Sequence, residues 1–148
     1  MEHDLANNLQ MSLHYAGAYT TTQTPAAGAD LQGLVNPTFI VAVGALGASS
    51  PNAGWRFSLQ ESDTADSDFA NVSGADMVTD PDSIQPASVS NGIFVDTIGD
   101  TEDNDVYRVT YKGIKRYARV IATAVDEPPS TTIAVILAGQ PNLAPAAT

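Results

Sequence analysis

Several short runs of the chain alternate large apolar residues with smaller or more polar ones, and this pattern predicts β-strands. Between residues 55 and 60 every second side chain is large and apolar, and residues 38–43 and 106–111 place Phe, Val and Tyr at the same spacing. A period of two is that of a strand with one buried face. Further strands are predicted at 114–125 and 132–138. No pattern indicates a long helix, so the chain is predicted to form a single all-β domain over residues 1–148, either an antiparallel β-sandwich or a barrel.

The longest patterned stretch, residues 106–125, is predicted to form a central antiparallel hairpin. Tyr107, Val109 and Tyr111 alternate with more polar residues, and Lys112-Gly113 supplies a turn in which glycine allows the reversal. Small and large side chains then alternate again along residues 114–125. A second hairpin is predicted at Asn91-Gly92, because this dipeptide favours the mirror-image turns that join adjacent strands.

Both ends of the chain are predicted to lie outside the patterned core. Leu5, Leu9 and Leu13 are spaced by four, which fits either one or two helical turns or an extended arm over residues 1–15. Residues 139–148 contain Pro141 and Pro145 and are predicted to be an extended tail, since proline cannot continue a hydrogen-bonded ladder. Both segments are expected to contribute more to docking than to folding.

The composition narrows the classes of function. The 148 residues carry a formal net charge of −11, and residues 1–105 hold one basic residue, Arg56, which argues against nucleic-acid binding by the whole surface. There is no cysteine for disulfides or thiolate metal sites. No run approaches the ~20 apolar residues of a membrane span, and the acidic start does not resemble a signal peptide. The protein is expected to be made and kept in the cytosol, or to leave it only by lysis or within an assembly.

The acidic and aromatic residues could serve metal binding, catalysis or sugar binding, but turn formation and core packing also explain them. The acidic runs 61–68 and 100–105 offer oxygen ligands for Ca²⁺, but they lack the spacing of a known Ca²⁺ loop and Asp is a favoured turn residue. Both histidines lie near the N-terminus, which argues against a catalytic triad, although paired carboxylates for glycoside hydrolysis stay open. No enzyme activity, metal or cofactor is predicted. The aromatic residues in the patterned strands fit either a sugar-stacking platform or a core or subunit interface; they are Trp55, Phe57, Tyr107, Tyr111 and Tyr117.

Four basic residues are the candidates for recognition of a partner: Lys112, Lys115, Arg116 and Arg119. They form either a docking surface for an acidic partner or a charged edge that discourages pairing with foreign strands. Arg116 and Arg119 differ in parity, so they are predicted to point to opposite faces. Arg119 is predicted to be partly buried and paired with an acid, Asp96 or Asp126. Arg116 is predicted to be exposed and free to meet a partner.

Four segments resemble a known family when they are taken together. They are Trp55-Arg-Phe-Ser-Leu-Gln-Glu-Ser-Asp63, residues 68–72, Tyr107-Arg-Val-Thr-Tyr-Lys-Gly-Ile-Lys-Arg-Tyr-Ala-Arg-Val120 and residues 134–141. In this order they are similar to a family of small structural proteins of tailed phages, over roughly residues 28–145. The resemblance implies a jelly-roll-like β-sandwich that decorates the capsid exterior, contacts the major capsid protein and forms homotrimers.

The leading hypothesis is therefore a non-enzymatic virion protein that binds the outside of an assembled capsid and stabilises it through many repeated contacts. The expected trimer would place the basic hairpin of one copy against the acidic run 61–68 or 100–105 of the next. One alternative is a carbohydrate- or host-surface-binding β-sandwich module, which exposed coplanar aromatics would favour. Another is a head–tail connector or tail component.

Overall fold

The computed structural model describes residues 8–47, 52–79, 91–99 and 104–142. In these ranges the chain is an antiparallel β-sandwich, one of the two predicted architectures. The strands are β1 (Gln10–Tyr19), β2 (Ala29–Asp30), β3 (Leu34–Val43), β4 (Gly54–Ser62), β5 (Ala70–Asn71), β6 (Met77–Thr79), β7 (Ile93–Ile98), β8 (Asp105–Tyr111), β9 (Tyr117–Val125) and β10 (Thr131–Pro141). A 3₁₀-helix, Gly74–Asp76, precedes β6.

The ten strands divide into two five-stranded sheets. Sheet A has the order β1-β10-β3-β8-β6, and sheet B has the order β2-β9-β4, with β5 and β7 both paired to β4. The longest ladder of sheet B joins β4 to β9 over nine residue pairs. In sheet A, β10 pairs along its length with both β1 and β3. The central strands of the sandwich are therefore β3 and β10 in one layer and β4 and β9 in the other.

The antiparallel pairs are nested within one another. Strand β4 pairs with β7, β3 with β8, β2 with β9 and β1 with β10, so each later strand returns to a partner that lies progressively earlier in the chain. Two further pairings, β3 with β10 and β4 with β9, join these pairs side by side within each sheet. The fold consequently depends on contacts between residues that are far apart in sequence.

The period of two correctly predicts which side chains enter the core. Trp55, Phe57 and Leu59 of β4 are completely buried, while the residues between them are partly exposed. The same alternation buries Phe39, Val41 and Val43 of β3, and also Tyr107, Val109 and Tyr111 of β8. The inner faces of both sheets thus form one continuous apolar core.

The predicted central hairpin over residues 106–125 is wrong, because its two strands lie in different sheets. Strand β8 pairs with β3 and β6 in sheet A, whereas β9 pairs with β2 and β4 in sheet B. Residues 112–116, here called the crossover loop, carry the chain between the layers. The N–H of Lys112 donates to the carbonyl of Asp76 and that of Lys115 donates to the Tyr111 hydroxyl. These bonds satisfy backbone groups that a tight turn would otherwise pair across a hairpin.

The predicted N-terminal arm over residues 1–15 is too long. Gln10–Tyr19 forms β1 and pairs with β10 from Gln10 to Tyr19, so residues 10–15 belong to sheet A and are not helical. A register shift at His14 interrupts the ladder, and this bulge breaks the period of two by which a strand is recognised. Residues 1–7 lie outside the described part of the chain.

The predicted C-terminal tail is partly wrong, whereas the backbone at residues 91 and 92 agrees with the predicted turn. Strand β10 continues to Pro141, which pairs with Leu34, so the start of the supposed tail is part of the sheet. Pro141 is tolerated because it stands at the last position of the strand. Asn91 and Gly92 have φ angles of 64° and 73°, the left-handed pair that the Asn-Gly signal predicts. Val89 and residues 143–148 lie outside the described residues.

Replacing Gly54 with alanine should destabilise the fold. A Cβ at this position would overlap the carbonyl oxygen of Ile98 on the adjacent strand β7, where only backbone can yield. We expect Gly54→Ala to lower the free energy of unfolding by about 1–3 kcal/mol in urea titrations. The control is Gly47→Ala, whose Cβ would meet nothing within 4 Å. Equal losses for the two variants would contradict this account of the β4–β7 contact.

His14 should make the protein less stable as the pH falls from about 7.5 to 5. Its Nε2 is buried without a hydrogen-bond partner, and burial, followed by the positive charge of Arg119, lowers its pKa. The unfolded chain therefore binds a proton at a higher pH than the folded chain does, which reduces stability on acidification by at most about 1.4 kcal/mol per pH unit. His14→Gln should flatten this dependence in thermal unfolding. His3→Gln should preserve it, and the opposite pattern would refute the assignment.

Candidate basic site and the outer face of sheet A

The four predicted recognition residues lie together at one end of sheet B. Lys112, Lys115 and Arg116 belong to the crossover loop, and Arg119 lies on β9. The acidic loop, defined here as residues 61–68, follows the neighbouring strand β4. The structure therefore brings the basic residues and one of the two acidic runs into the same region, but within a single chain.

Arg116 is exposed, as predicted, but it is not free. Its Nε lies 3.1 Å from Oδ1 of Asp30 and its Nη2 lies 2.8 Å from Oδ2, which makes a two-bond ion pair. The guanidinium also lies 5.0 Å from the ring centre of Tyr117. The hydrogen bond from Arg116 holds the pKa of Asp30 below its usual value. The charge of Arg116 is thus largely compensated by its own chain.

Arg119 is partly buried, as predicted, but the predicted acidic partner is wrong. Its Nε and Nη2 donate to Oε1 of Gln60 at 3.0 and 2.8 Å, and its Nη1 donates to the carbonyl of Pro25 at 2.7 Å. The guanidinium also stacks 3.9 Å from the ring centre of Phe69. Because Ala118 and its inward-facing neighbours fill the core, Arg119 lies on the outer side of sheet B, directly opposite Gln60 in the ladder. Three neutral groups therefore fix this cation in place.

The acid predicted to bind Arg119 has another partner. Asp96 on β7 accepts a hydrogen bond of 2.8 Å from Nε of Arg56 on β4, and this pair lies on the same outer side of sheet B. Each side chain retains more than a third of its exposure, so the pair contributes little to stability. Asp126, the other predicted partner, has a left-handed backbone in the turn after β9.

Lys115 and Tyr111 bind the acidic loop. Nζ of Lys115 donates to Oδ2 of Asp63 at 2.5 Å, and the hydroxyl of Tyr111 donates to Oε2 of Glu61. Burial, followed by the hydrogen bond to Glu61, raises the pKa of Tyr111. A cleft of about 320 Å³ lies beside these groups. Two of its carboxylates, those of Glu61 and Asp63, already accept from side chains of the same protein, and Lys115 compensates the charge of Asp63.

Lys112 differs from the other three basic residues. It is exposed, and its side chain forms no ion pair with any described residue. Only its backbone N–H is engaged, with the carbonyl of Asp76. Among the four predicted partner-binding residues, Lys112 and Arg119 are therefore the two that form no ion pair with a described carboxylate, and Lys112 is the more exposed of the two.

Hydroxyl groups shape the acidic loop. Ser62 Oγ donates to the carbonyl of Ser67 at 2.6 Å and accepts from the N–H of Thr64 at 3.0 Å, while Thr64 Oγ1 also donates to Ser67. Asp68 has a φ of 56°, a conformation that Asp tolerates in turns. Within the described ranges, no group of three or more His, Asp or Glu side chains is arranged to hold a metal ion. Most of the second acidic run lies outside them.

The aromatic residues predicted as core or interface are mainly core. Trp55, Phe57, Tyr107 and Tyr111 are buried, and Phe57 of sheet B stacks on Tyr107 of sheet A with ring centres 6.4 Å apart. Tyr117 alone among the five is partly exposed, and it lies beneath Arg116. These residues therefore cannot form the coplanar exposed platform that a sugar-binding module needs.

The sequence reasoning missed an apolar surface on the outer face of sheet A. Apart from Arg108, its residues are apolar, Ala or Thr. They are Met11, Leu13, Ala16 and Ala18 of β1, Thr132, Ala134, Ile136 and Ala138 of β10, Thr38, Ile40 and Ala42 of β3, Val106, Arg108 and Thr110 of β8, and Val78 of β6. A signal was present, because residues 39–43 and 133–138 are continuous apolar runs, which are typical of strands covered on both faces.

Removing the Arg119 side chain should destabilise the isolated protein, whereas removing that of Arg116 should not. Arg119→Ala loses hydrogen bonds to Gln60 and Pro25 and the contact with Phe69, and we expect a loss of about 2 kcal/mol in the free energy of unfolding. Arg116→Ala breaks an exposed pair and should leave the unfolding curve unchanged. Denaturant titration distinguishes them, and the reverse order would contradict the assignment.

Comparison with known proteins gives no family for the chain. No protein-family model matches it, and neither curated proteins nor solved structures contain a significant match. No helix among the described residues is long and apolar enough to cross a membrane. A function therefore has to be argued from the strand order, the charges and the exposed surfaces described above.

Proposed function

We propose that the protein is a non-enzymatic structural component of a phage virion that binds the outside of the assembled capsid and stabilises it. The observation that carries the proposal is the nested strand pairing. The order β1-β10-β3-β8 in sheet A and β2-β9-β4-β7 in sheet B is the one expected of a long hairpin wrapped into two sheets, and it supports the proposal of a jelly-roll arrangement. This architecture recurs in viral capsid proteins and also in lectins.

The position of the segments that resemble the phage family supports the same proposal. Residues 55–63 form most of β4, residues 107–120 span β8, the crossover loop and the start of β9, and residues 134–141 form most of β10. These are central elements of both sheets. The resemblance is thus carried by the scaffold and by the connection between its layers, which is where a family of structural proteins would share its pattern.

The distribution of charge indicates what kind of shell surface the protein would meet. Lys115 and Arg116 are paired with acids of their own chain, and the protein as a whole carries a net charge of −11, so its surface is predominantly acidic. Such a surface favours a basic partner and disfavours an acidic one. We therefore propose that the protein docks on basic patches of the major capsid protein, with repeated weak contacts that add up across the lattice.

The attraction between basic and acidic segments, on which the expectation of a homotrimer was based, is not supported by the structure. That expectation placed the basic residues of one copy against the acidic loop of the next, but Lys115 already binds Asp63 within the chain and Arg116 binds Asp30. A homo-oligomer remains part of the proposal, on other grounds given below.

The same architecture also occurs in lectins, which would fit the carbohydrate-binding alternative. That alternative requires exposed aromatic residues to stack on sugars, but four of the five aromatic residues considered are buried.

Binding to capsids provides the direct test. Purified protein mixed with shells that lack it should co-sediment with them to saturation, and the decorated shells should withstand heating better than bare ones. Binding should weaken as the salt concentration rises, because the attraction is between opposite charges. Deleting residues 1–7, which precede β1, should weaken attachment while leaving thermal unfolding unchanged. Shells of an unrelated phage are the control.

Two results would contradict the proposed function. One is a failure to bind the shells at any salt concentration, when the protein is folded by circular dichroism. The other is that the protein binds host-cell glycans but does not bind the shells, which would favour the carbohydrate-binding alternative.

A further inference from the structure

The outer face of sheet A has the composition of a buried surface. Leu13 is 66% exposed and Met11 is 54% exposed, and both point away from the core beside Ile136 and Ala138 of β10. An antiparallel sheet with one solvated face normally shows polar residues there. Contiguous apolar patches of a few hundred square ångströms on such a face mark interaction sites. No described segment of the chain covers Leu13 and Met11, so this surface is available to a partner.

The register of the strands arranges this face into rows that cross the sheet. One row consists of large side chains, Leu13, Ile136 and Ile40, and ends at Arg108. The next row consists of small ones, Ala16, Ala134 and Ala42, and ends at Val106. Adjacent rows are about 7 Å apart, since two residues separate them along each strand. The face thus carries a ridge, the Leu13 row, beside a furrow, the Ala16 row.

We propose that this face binds a second copy of the same chain across a two-fold axis. Let the axis lie in the interface, parallel to the rows and midway between ridge and furrow. A rotation of 180° then places the ridge of each copy over the furrow of the other. Large side chains meet small ones at both places, which is the self-complementarity that a two-fold interface requires. Leu13 of one copy would face Ala16 of its partner.

Charge also favours a second copy as the occupant. Each chain carries a net charge of −11, so most ways of bringing two copies together oppose carboxylates. None of the described residues in these rows is acidic, and the one charge, Arg108, lies toward the β8 side of the face. In the two-fold arrangement each Arg108 would face Val106 of the other copy instead of the other Arg108. The face is therefore one over which two acidic proteins can approach closely.

The size of the face suits a dimer of moderate affinity. Four strands spaced by about 4.8 Å and four rows of side chains give roughly 500 Å² for each copy. A pair would bury on the order of 1,000 Å², which is at the lower limit for specific interfaces. We therefore expect dissociation in the micromolar range. This inference does not depend on the proposed attachment to a capsid.

The test is sedimentation equilibrium of the full chain. Wild-type protein at tens of micromolar should be a dimer. Leu13→Glu places an acid in the furrow of the partner and should raise the dissociation constant by more than about tenfold. Because Leu13 is exposed, its replacement should leave thermal unfolding unchanged at concentrations where both proteins are monomeric. The matched control is Ile114→Glu, which changes a 96% exposed apolar residue of the crossover loop and should not alter the mass.

A second variant tests the geometry of the pair. Leu13→Glu combined with Ala16→Lys should restore the dimer, because each new acid would face a new base across the two-fold axis. A wild-type protein that is monomeric or trimeric would overturn the proposal. So would dissociation by Ile114→Glu, or a double variant no better than Leu13→Glu alone.

Two further results would assign the face to another occupant and so overturn the proposal. Self-association only after deletion of residues 1–7 would show that the chain's own N-terminal segment covers the face. A wild-type monomer whose binding to shells is abolished by Leu13→Glu would show that the shell covers it. In that last case the proposed function would stand while the two-fold contact would fail.

Discussion

The sandwich depends on the apolar contact between its two layers. Among the described residues no ladder of hydrogen bonds joins sheet A to sheet B, so packing and the chain segments that cross between the sheets hold their inner faces together. Phe57 of β4 and Tyr107 of β8 make one such contact between the layers. Every other feature follows from this arrangement, since the strands that fill the core on one side leave their remaining side chains to define the two outer faces.

The core was predictable because it depends on a local period. Trp55, Phe57 and Leu59 are recognised from residues two apart, whichever strands they pair with. The partner of a strand is a different matter. Residues 106–125 look like a hairpin because a Lys-Gly pair separates two patterned runs, yet nothing in that stretch reveals that β3 and β4, far away in sequence, offer longer ladders. The residues next to a strand in sequence therefore do not predict which distant strand it pairs with.

The basic residues show the same limit at the level of single side chains. Parity separated Arg116 from Arg119, but it placed Arg119 on the core-facing side of its strand, whereas Ala118 and Val120 fill the core and Arg119 lies on the outer side of sheet B. Parity also could not provide partners. Asp30 lies on β2, and Gln60 faces Arg119 only because β4 and β9 are paired in that register. The bulge at His14 likewise hid β1, since one extra residue cancels the alternation on which recognition of a strand relies. The alternating pattern did not predict the apolar outer face of sheet A, because a period of two implies one buried face and one solvent-exposed polar face for each strand.

The nesting of the strand pairs has a consequence for synthesis. The ribosome synthesises β1 long before β10, but the two strands pair in the folded protein, with Gln10 opposite Gly139. Until then the nascent chain carries β1 without its neighbour, and β3 has only one of its two partners. Such distant closures fold slowly, and they leave apolar strand edges open to other chains in the meantime. Completion of sheet A thus has to wait until β10 has been synthesised, and the incomplete sheet has to be protected from other chains until then.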